Sequence, residues 1–436
     1  MRTPEATALL AGINRWTAIE SKTDEPESIA AMMAVAERGF RAAGLMTERI
    51  PGRDGFGDHF RARVAWGGDG PGVLVLCHLD TVHPAGTLKF NPIRTEGGRA
   101  HGPGIYDMKG GVYIAMIAAA TLIEAQRDTG RETPLPLRFL VVSDEEVGSP
   151  TSRSLIEAEA DNAKYVLVVE PARDGGKVVT SRKGSARMTL TAHGRAAHSG
   201  LRHQDGESAI LEVARQIVDL EAMTDYESGV TVNVGMVSGG TGVNVVPDRC
   251  TAEIDLRMTK PEDGEAAVAR ILALKPYNPA ITLKISGGIN RPPYRKSNAI
   301  AALFEHARAL AAELGIDLID TFTGGGSDGN FTAARVATLD CLGVDGHGAH
   351  TLDEHLLVSS LVPRMLLLKR MFETLEQPGL TPSTPSRPAP DRRRRPSPRR
   401  CAGPRGRQRS DSSKPSAAPG SPSPSARPRC GAGCGW

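Results

Sequence analysis

The 436-residue chain predicts an α/β fold built on a mostly parallel sheet, with a small α+β domain inserted into it. Strand and helix patterns alternate between residues 72 and 169. From about Ser181 the strands lengthen and alternate in polarity, and near Asn298 the first texture returns. Taken in order, 6–21 and 25–43 have helical periodicity, the second opening at Pro26 and closing near Gly44. The apolar run Val73-Leu74-Val75-Leu76-Cys77 reads as a buried strand. A helix at 111–126, a strand at 137–143, a helix at 152–159 and a strand at 165–169 complete βαβ units. The insertion is placed at 182–292, with strands at 187–192, 230–237, 250–258 and 281–285 and amphipathic helices at 208–223 and 262–274. Helices at 298–314 and 358–375, with Gly324-Gly325-Gly326 between them, return the chain to the first domain, 1–181 and 293–376.

Composition narrows the class. A hydrophobic content of 40% is ordinary for a soluble protein, and the formal charge of +3 joins an acidic body to a basic tail. From residue 377 the text is Pro, Arg, Ser and Gly, which cannot bury enough apolar surface to offset ordering entropy, so 377–436 is expected to be disordered. Arg392-Arg393-Arg394-Arg395 reads as a solvated tail, or as translation past a frameshift, rather than a polyanion-binding patch. Nucleic acid is therefore not expected as a partner. No apolar leader and no stretch of about 18 apolar residues is visible, so a cytoplasmic protein without a membrane partner is expected. Cys77, Cys250 and Cys341 lie in or beside apolar runs and read as buried free thiols.

Chemistry gathers at strand ends. His78-Leu79-Asp80-Thr81 follows the first buried strand, at the carboxyl edge where open α/β sheets place ligands. His78 and Asp80, two residues apart on extended chain, point to one side, so one can bind a metal while the other orients its ring. Asp107 sits in the glycine-flanked loop Gly102-Pro103-Gly104-Ile105-Tyr106-Asp107, just before a helix. Asp144-Glu145-Glu146-Val147-Gly148 ends the next strand, and Glu170-Pro171 ends another. Singly, each of these has a bland reading as a hydrogen-bonded histidine, a helix cap or a solvated turn. Together they crowd carboxylates that repel one another unless a multivalent cation joins them. Mixed imidazole and carboxylate ligation suits zinc, and a shared carboxylate suits two ions about 3.5 Å apart.

These segments, with His350 in Gly348-Ala349-His350-Thr351, resemble the motifs of the dinuclear zinc amidohydrolases and metallopeptidases. That family includes glutamate carboxypeptidase of the folate-cleaving type, aminoacylase, acetylornithine deacetylase and succinyl-diaminopimelate desuccinylase. The resemblance runs from about residue 5 to 376. It implies a zinc-peptidase catalytic domain with a ferredoxin-like lid and dimerisation domain. Asp107 would bridge two zinc ions, for which cobalt or manganese can substitute, with His78 and Glu170 on one ion and Glu146 and His350 on the other. His347 competes with His350, and the acidic pair Asp353-Glu354 favours His350. Asp80 would hold the His78 ring, and Glu145 would be the general base.

On the substrate side, Ala196-Ala197-His198-Ser199-Gly200 resembles the family's lid segment, whose histidine reaches the partner's active site in dimeric members. A lid-mediated homodimer is therefore implied. Asn244 and Arg257 fall in segments similar to those that bind the substrate carboxylate, and a guanidinium suits a carboxylate bidentately. Lys177 and Arg291 fall where folate-cleaving carboxypeptidases keep basic residues, although Arg291 reads equally as a solvated lid residue. Gly325 lies in the glycine loop near the pocket. The activity implied is hydrolysis of an amide bond beside a free carboxylate, in a small peptide or N-acyl amino acid. A carboxypeptidase releasing glutamate or a similar residue is the first expectation, an N-acyl-amino-acid deacylase the second. A non-catalytic ligand-binding relative is the third.

Overall fold

Strand Gly72–His78 is buried along its whole length, which its unbroken aliphatic run requires. Its side chains feed two cores. Val73, Val75 and Cys77 pack into the larger one with the helices Ala6–Thr17, Pro26–Ala42, Gly110–Thr129 and Leu361–Thr374, while Leu74 and Leu76 join Ile156 and Phe331 on the opposite face. The computed structural model describes residues 4–376, so the tail expected to be disordered at 377–436 lies outside the described residues.

The central sheet has six strands in the order Met46–Ile50, His59–Arg63, Leu137–Val142, Gly72–His78, Ala163–Val168 and Ala337–Leu339. The last four run parallel, which puts their carboxyl ends on one edge. The first two are antiparallel additions that the periodicity did not predict, since Met-Thr-Glu-Arg-Ile and His-Phe-Arg-Ala-Arg are short and charged. The stretch Ile105–Thr129, of which Gly110–Thr129 is the α-helix, is long and apolar enough to span a bilayer, contrary to the sequence reading, yet its apolar window is 72% buried inside the protein. It is a core helix. Cys77, Cys250 and Cys341 are buried and free.

A second, antiparallel sheet runs Thr231–Gly239, Arg249–Met258, Gly184–His193 and Thr282–Arg291. Alternation decides its faces. Ala186, Met188, Leu190 and Ala192 point into a separate core under the helices Ala209–Glu221 and Pro261–Leu272, while the intervening Arg187, Thr189 and Thr191 do not. Ser208 caps the first helix by accepting from the Leu211 amide at 3.2 Å, and Pro261 opens the second.

Candidate metal centre and active site

Parallel strands deliver His78, Glu145, Glu146 and Glu170 to one sheet edge, and two loops bring Asp107 and His350 over it. Asp107 faces a histidine with each oxygen. Its Oδ1 is 3.3 Å from His78 Nε2 and its Oδ2 is 3.3 Å from His350 Nε2. Glu170 stands 3.5 Å from His78, and Glu146 stands 3.1 Å from His350. Donor atoms of His78, Asp107 and Glu146 lie within 4.8 Å of one another, as do those of His78, Glu145 and Glu170.

Asp80, expected to hold the His78 ring, and Glu354 hold this arrangement through hydrogen bonds. Asp80 accepts from the amides of Glu145 at 3.3 Å and Glu146 at 3.1 Å and from Thr23 Oγ1 at 2.8 Å, while its own backbone carbonyl lies 3.1 Å from His78 Nδ1. One buried residue thus steers the imidazole through its carbonyl and the glutamate turn through its carboxylate. Asp144, which sequence reading grouped with the glutamates, is turned away to accept from Thr151 and Ser152. Glu354 accepts from the amides of Gly104, Tyr106 and Asp107 at 2.9–3.1 Å and so fixes the Asp107 loop. In sequence Glu354 served only as part of the acidic pair that favours His350, and nothing there marked it as the clamp on the Asp107 loop. Gly111 and Gly343 let two segments close on the Val169 carbonyl beside Glu170, for a Cβ there would lie 2.1 and 2.3 Å from that oxygen.

Electrostatics show what the cluster lacks. Burial pushes the Glu145 carboxyl up to about 7 against the pull of Arg291, and pushes Glu146 up to about 8 against its hydrogen bond with His350. Burial and the charge of Asp107 raise Glu170. Burial opposes ionisation of Asp107, yet the adjacent imidazoles of His350 and His78 hold it well below the carboxylate range. His350 is pushed up to about 11 by its hydrogen bonds to Asp107 and Glu146. Crowded carboxylates thus draw protons onto themselves and onto two histidines. Asp107 Oδ1 and Glu146 Oε1 are buried without a hydrogen bond, the condition a cation relieves. The residues present therefore fit a metal, by donor type and by these two orphaned oxygens.

Arg291 departs from expectation. It is neither solvated nor aimed at open space: its side chain is 5% exposed, and it donates to Glu145 Oε1 and Asp328 Oδ1 at 2.9 Å each and to Ser149 at 3.1 Å. Gly326 makes room for it, since a Cβ there would lie 2.7 Å from Arg291 Cδ. Burial pushes the Asp328 carboxyl up to about 6, Arg291 opposing. Gly325 is exposed, and its carbonyl accepts from the buried Arg182 at 3.1 Å. Lys177 closes a turn with Arg173 through backbone hydrogen bonds. Among the described residues no hydrogen bond or ion pair joins its side chain to the cluster.

The lid residues divide. Arg257 and Arg291 both stand opposite Ser185, from the strands on either side, so Arg257 lies at the end of the lid sheet nearest Glu145. It pairs with Asp255 at 2.8 Å. From this row the register runs to Arg249 opposite His193, about 27 Å of antiparallel strand. His198 and Asn244 lie beyond that far end, where Ala197–His198 pairs with Val245–Val246 and the Ser199 amide donates to the Asn244 carbonyl at 3.0 Å. Both are exposed. The expectation that Asn244 and Arg257 together grip one carboxylate therefore fails within a single chain, because the sheet holds them apart.

The model for Peptidase family M20/M25/M40 matches residues 74–374. Carboxypeptidase G2 from a Pseudomonas species is 30% identical over 373 residues, 84% of this chain and 88% of that protein. Succinyl-diaminopimelate desuccinylase from Delftia acidovorans is 25% identical over 386 residues, 81% of this chain and 94% of the relative. In fold, the chain is similar to an M20 family metallo-carboxypeptidase from Sulfolobus solfataricus, with a TM-score of 0.66 at 15% identity over 84% of this chain and 98% of that one.

Proposed function

From the premise that the chain belongs to peptidase family M20/M25/M40 and is an enzyme that hydrolyses amide bonds, we propose a two-zinc carboxypeptidase that releases a C-terminal residue such as glutamate. The observation that carries the metal assignment is Asp107, whose two oxygens face His78 and His350 at equal distance while Glu170 and Glu146 flank the pair. His78 and Glu170 would hold one ion and His350 and Glu146 the other, with Asp107 shared. Bound ions of this kind polarise a carbonyl and make water a nucleophile at neutral pH.

The chain's own residues supply the rest. Glu145 takes the proton of the attacking water and returns it to the leaving amine, and a carboxylate beside the ligand cluster, held by Arg291, is placed for both duties. Arg291 and Asp80 are positioning residues, the first through the Glu145 carboxylate and the second through the Glu145 amide and His78. Arg257 binds the substrate carboxylate from the near end of the lid.

His198 and Asn244 are read as serving a second copy. Edge strand Thr231–Gly239 leaves Met236 and Val237 exposed, and helix Ala209–Glu221 leaves Ile210, Leu211 and Val218 exposed. An open strand edge beside an apolar helix face suits pairing with a second copy of itself. In that homodimer His198 of the partner subunit donates to the oxyanion.

Similarity to the desuccinylase favours a second reading, removal of an acyl group from an N-acyl amino acid. Purified zinc-loaded enzyme presented with N-acylglutamates, dipeptides and acetyl amino acids separates the two. Glutamate release from aromatic acylglutamates supports the first. Release of acetate from the acetyl amino acids, with the aromatic acylglutamates left intact, replaces it with the second.

A further inference from the structure

A second group of potential ligands lies outside this cluster and shares no residue with it. In the four-stranded sheet of Gly346–His347, His355–Leu357, Arg99–His101 and Arg94–Glu96, His347 stands opposite His355 and His355 stands opposite His101. Directly opposed residues share a face, so three imidazoles form one row. The rings of His101 and His355 are buried with centroids 4.9 Å apart, and the exposed His347 ring lies 6.5 Å from His355. Asp353 reaches over the row with its Oδ1 3.8 Å from His101 Nδ1. One donor atom from each of His101, Asp353 and His355 lies within 4.8 Å of the other two.

Hydrogen bonding sets the protons. His355 Nδ1 is 2.8 Å from the Asp353 carbonyl oxygen. A carbonyl only accepts, so Nδ1 carries the proton and Nε2 keeps its lone pair. His101 Nδ1 is 3.3 Å from Arg94 Nη2. A guanidinium only donates, so this nitrogen keeps its lone pair as well. Burial and the neighbouring Arg94 hold His101 below the usual histidine value, in the neutral form that ligates. A backbone carbonyl holding the second nitrogen is also how a ligating histidine is commonly oriented.

We propose that His101, His355 and Asp353, with His347 as an adjoining fourth donor, form a separate metal site for one divalent transition ion of the zinc, cobalt, nickel or copper class. Two imidazoles and one carboxylate select such an ion over magnesium or calcium. Zinc-to-nitrogen bonds of about 2.0–2.1 Å set donors about 3.3 Å apart, so the group must contract on binding. The side chains that move are superficial: Asp353 is 75% and Arg94 39% exposed. Arg94 yields His101 and keeps its 2.9 Å bond to Asn91. Because Asp353 lies between His350 and Glu354, the bound ion staples the turn that carries both to the sheet.

The test is metal binding by the full-length chain, stripped of metal and dialysed to equilibrium against graded zinc. Wild type is expected to bind one more ion per chain than the His101→Gln/His355→Gln double variant. Equal stoichiometry overturns the proposal. Asp353→Asn changes an exposed side chain and leaves folding intact, and it is expected to weaken the additional ion about tenfold or more. Unchanged affinity in that variant overturns the site as described. His350→Ala gives the reciprocal measurement: it removes a donor of the other cluster and must leave the additional ion in place. Failure of the two-ion reading is thereby distinguished from failure of this one.

Discussion

At the carboxyl edge of the central sheet, His78, Asp107, Glu146, Glu170 and His350 contact one another within one chain, on backbone pinned by Asp80 and Glu354. On the lid, His198 and Asn244 face solvent at the end of a sheet whose other end carries Arg257. The first region builds its geometry from buried hydrogen bonds, the second from an exposed ribbon with no such contact to the ligand cluster among the described residues. A single chain is thus equipped to hold metal, while in the proposed dimer oxyanion stabilisation falls to a second chain.

The sharpest way to separate the two regions is Glu145→Ala, which is expected to lower kcat by about 10³-fold or more while metal content stays at the parent level. Elemental analysis beside steady-state kinetics checks it, and retained turnover removes Glu145 from its role. His198→Ala is expected to cost about 10²–10³-fold in kcat. Mixing it with Glu145→Ala after subunit exchange is expected to restore about a quarter of parental activity, because a mixed dimer regains one intact site. No recovery would break the division between chains.

Arg291→Met probes the boundary between the regions. It leaves Glu145 and Asp328 buried and unpaired, with an expected loss of about 3–5 kcal/mol in denaturant unfolding of the metal-free protein. An unchanged midpoint would show that the lid-borne arginine does not stabilise the edge.

The smallest effect is a pH dependence confined to the metal-free molecule. Glu145 and Glu146 have folded values of about 7 and about 8, above the unfolded carboxylate range, so the folded state holds more protons between about pH 4.5 and 8. Stability contributed by these groups is present at the acid end and lost as pH rises through that window. The raised value of His350 continues the same trend from about pH 6.5 upward. Thermal melts with chelator are expected to fall from pH 5.5 to 8, and melts with saturating zinc to change less. A flat profile without metal contradicts the crowded-carboxylate reading.

Much of the metal edge was legible in sequence because strand ends announce themselves: His78, Glu145, Glu146 and Glu170 each follow an apolar run, and Asp107 lies in a glycine-rich loop. His350 was not legible from periodicity, and only the family pattern separated it from His347. The surroundings of Arg291 were hidden because its partners Glu145 and Asp328 are 146 and 37 residues away, and nothing local marks a lid strand's last residue as reaching the other domain. The His101 and His355 row was equally invisible, since cross-strand register between three-residue strands is set by tertiary contacts.

Glu354 has a consequence for the order in which the protein is made. The loop presenting Asp107 is held by a carboxylate 247 residues further along the chain. At about 5–20 residues per second of synthesis, a nascent chain has its early ligands in hand well before the clamp emerges. Capture of metal by the finished geometry therefore waits until Glu354 has been made, and a fragment ending before Glu354 has the donors without the frame that aims them.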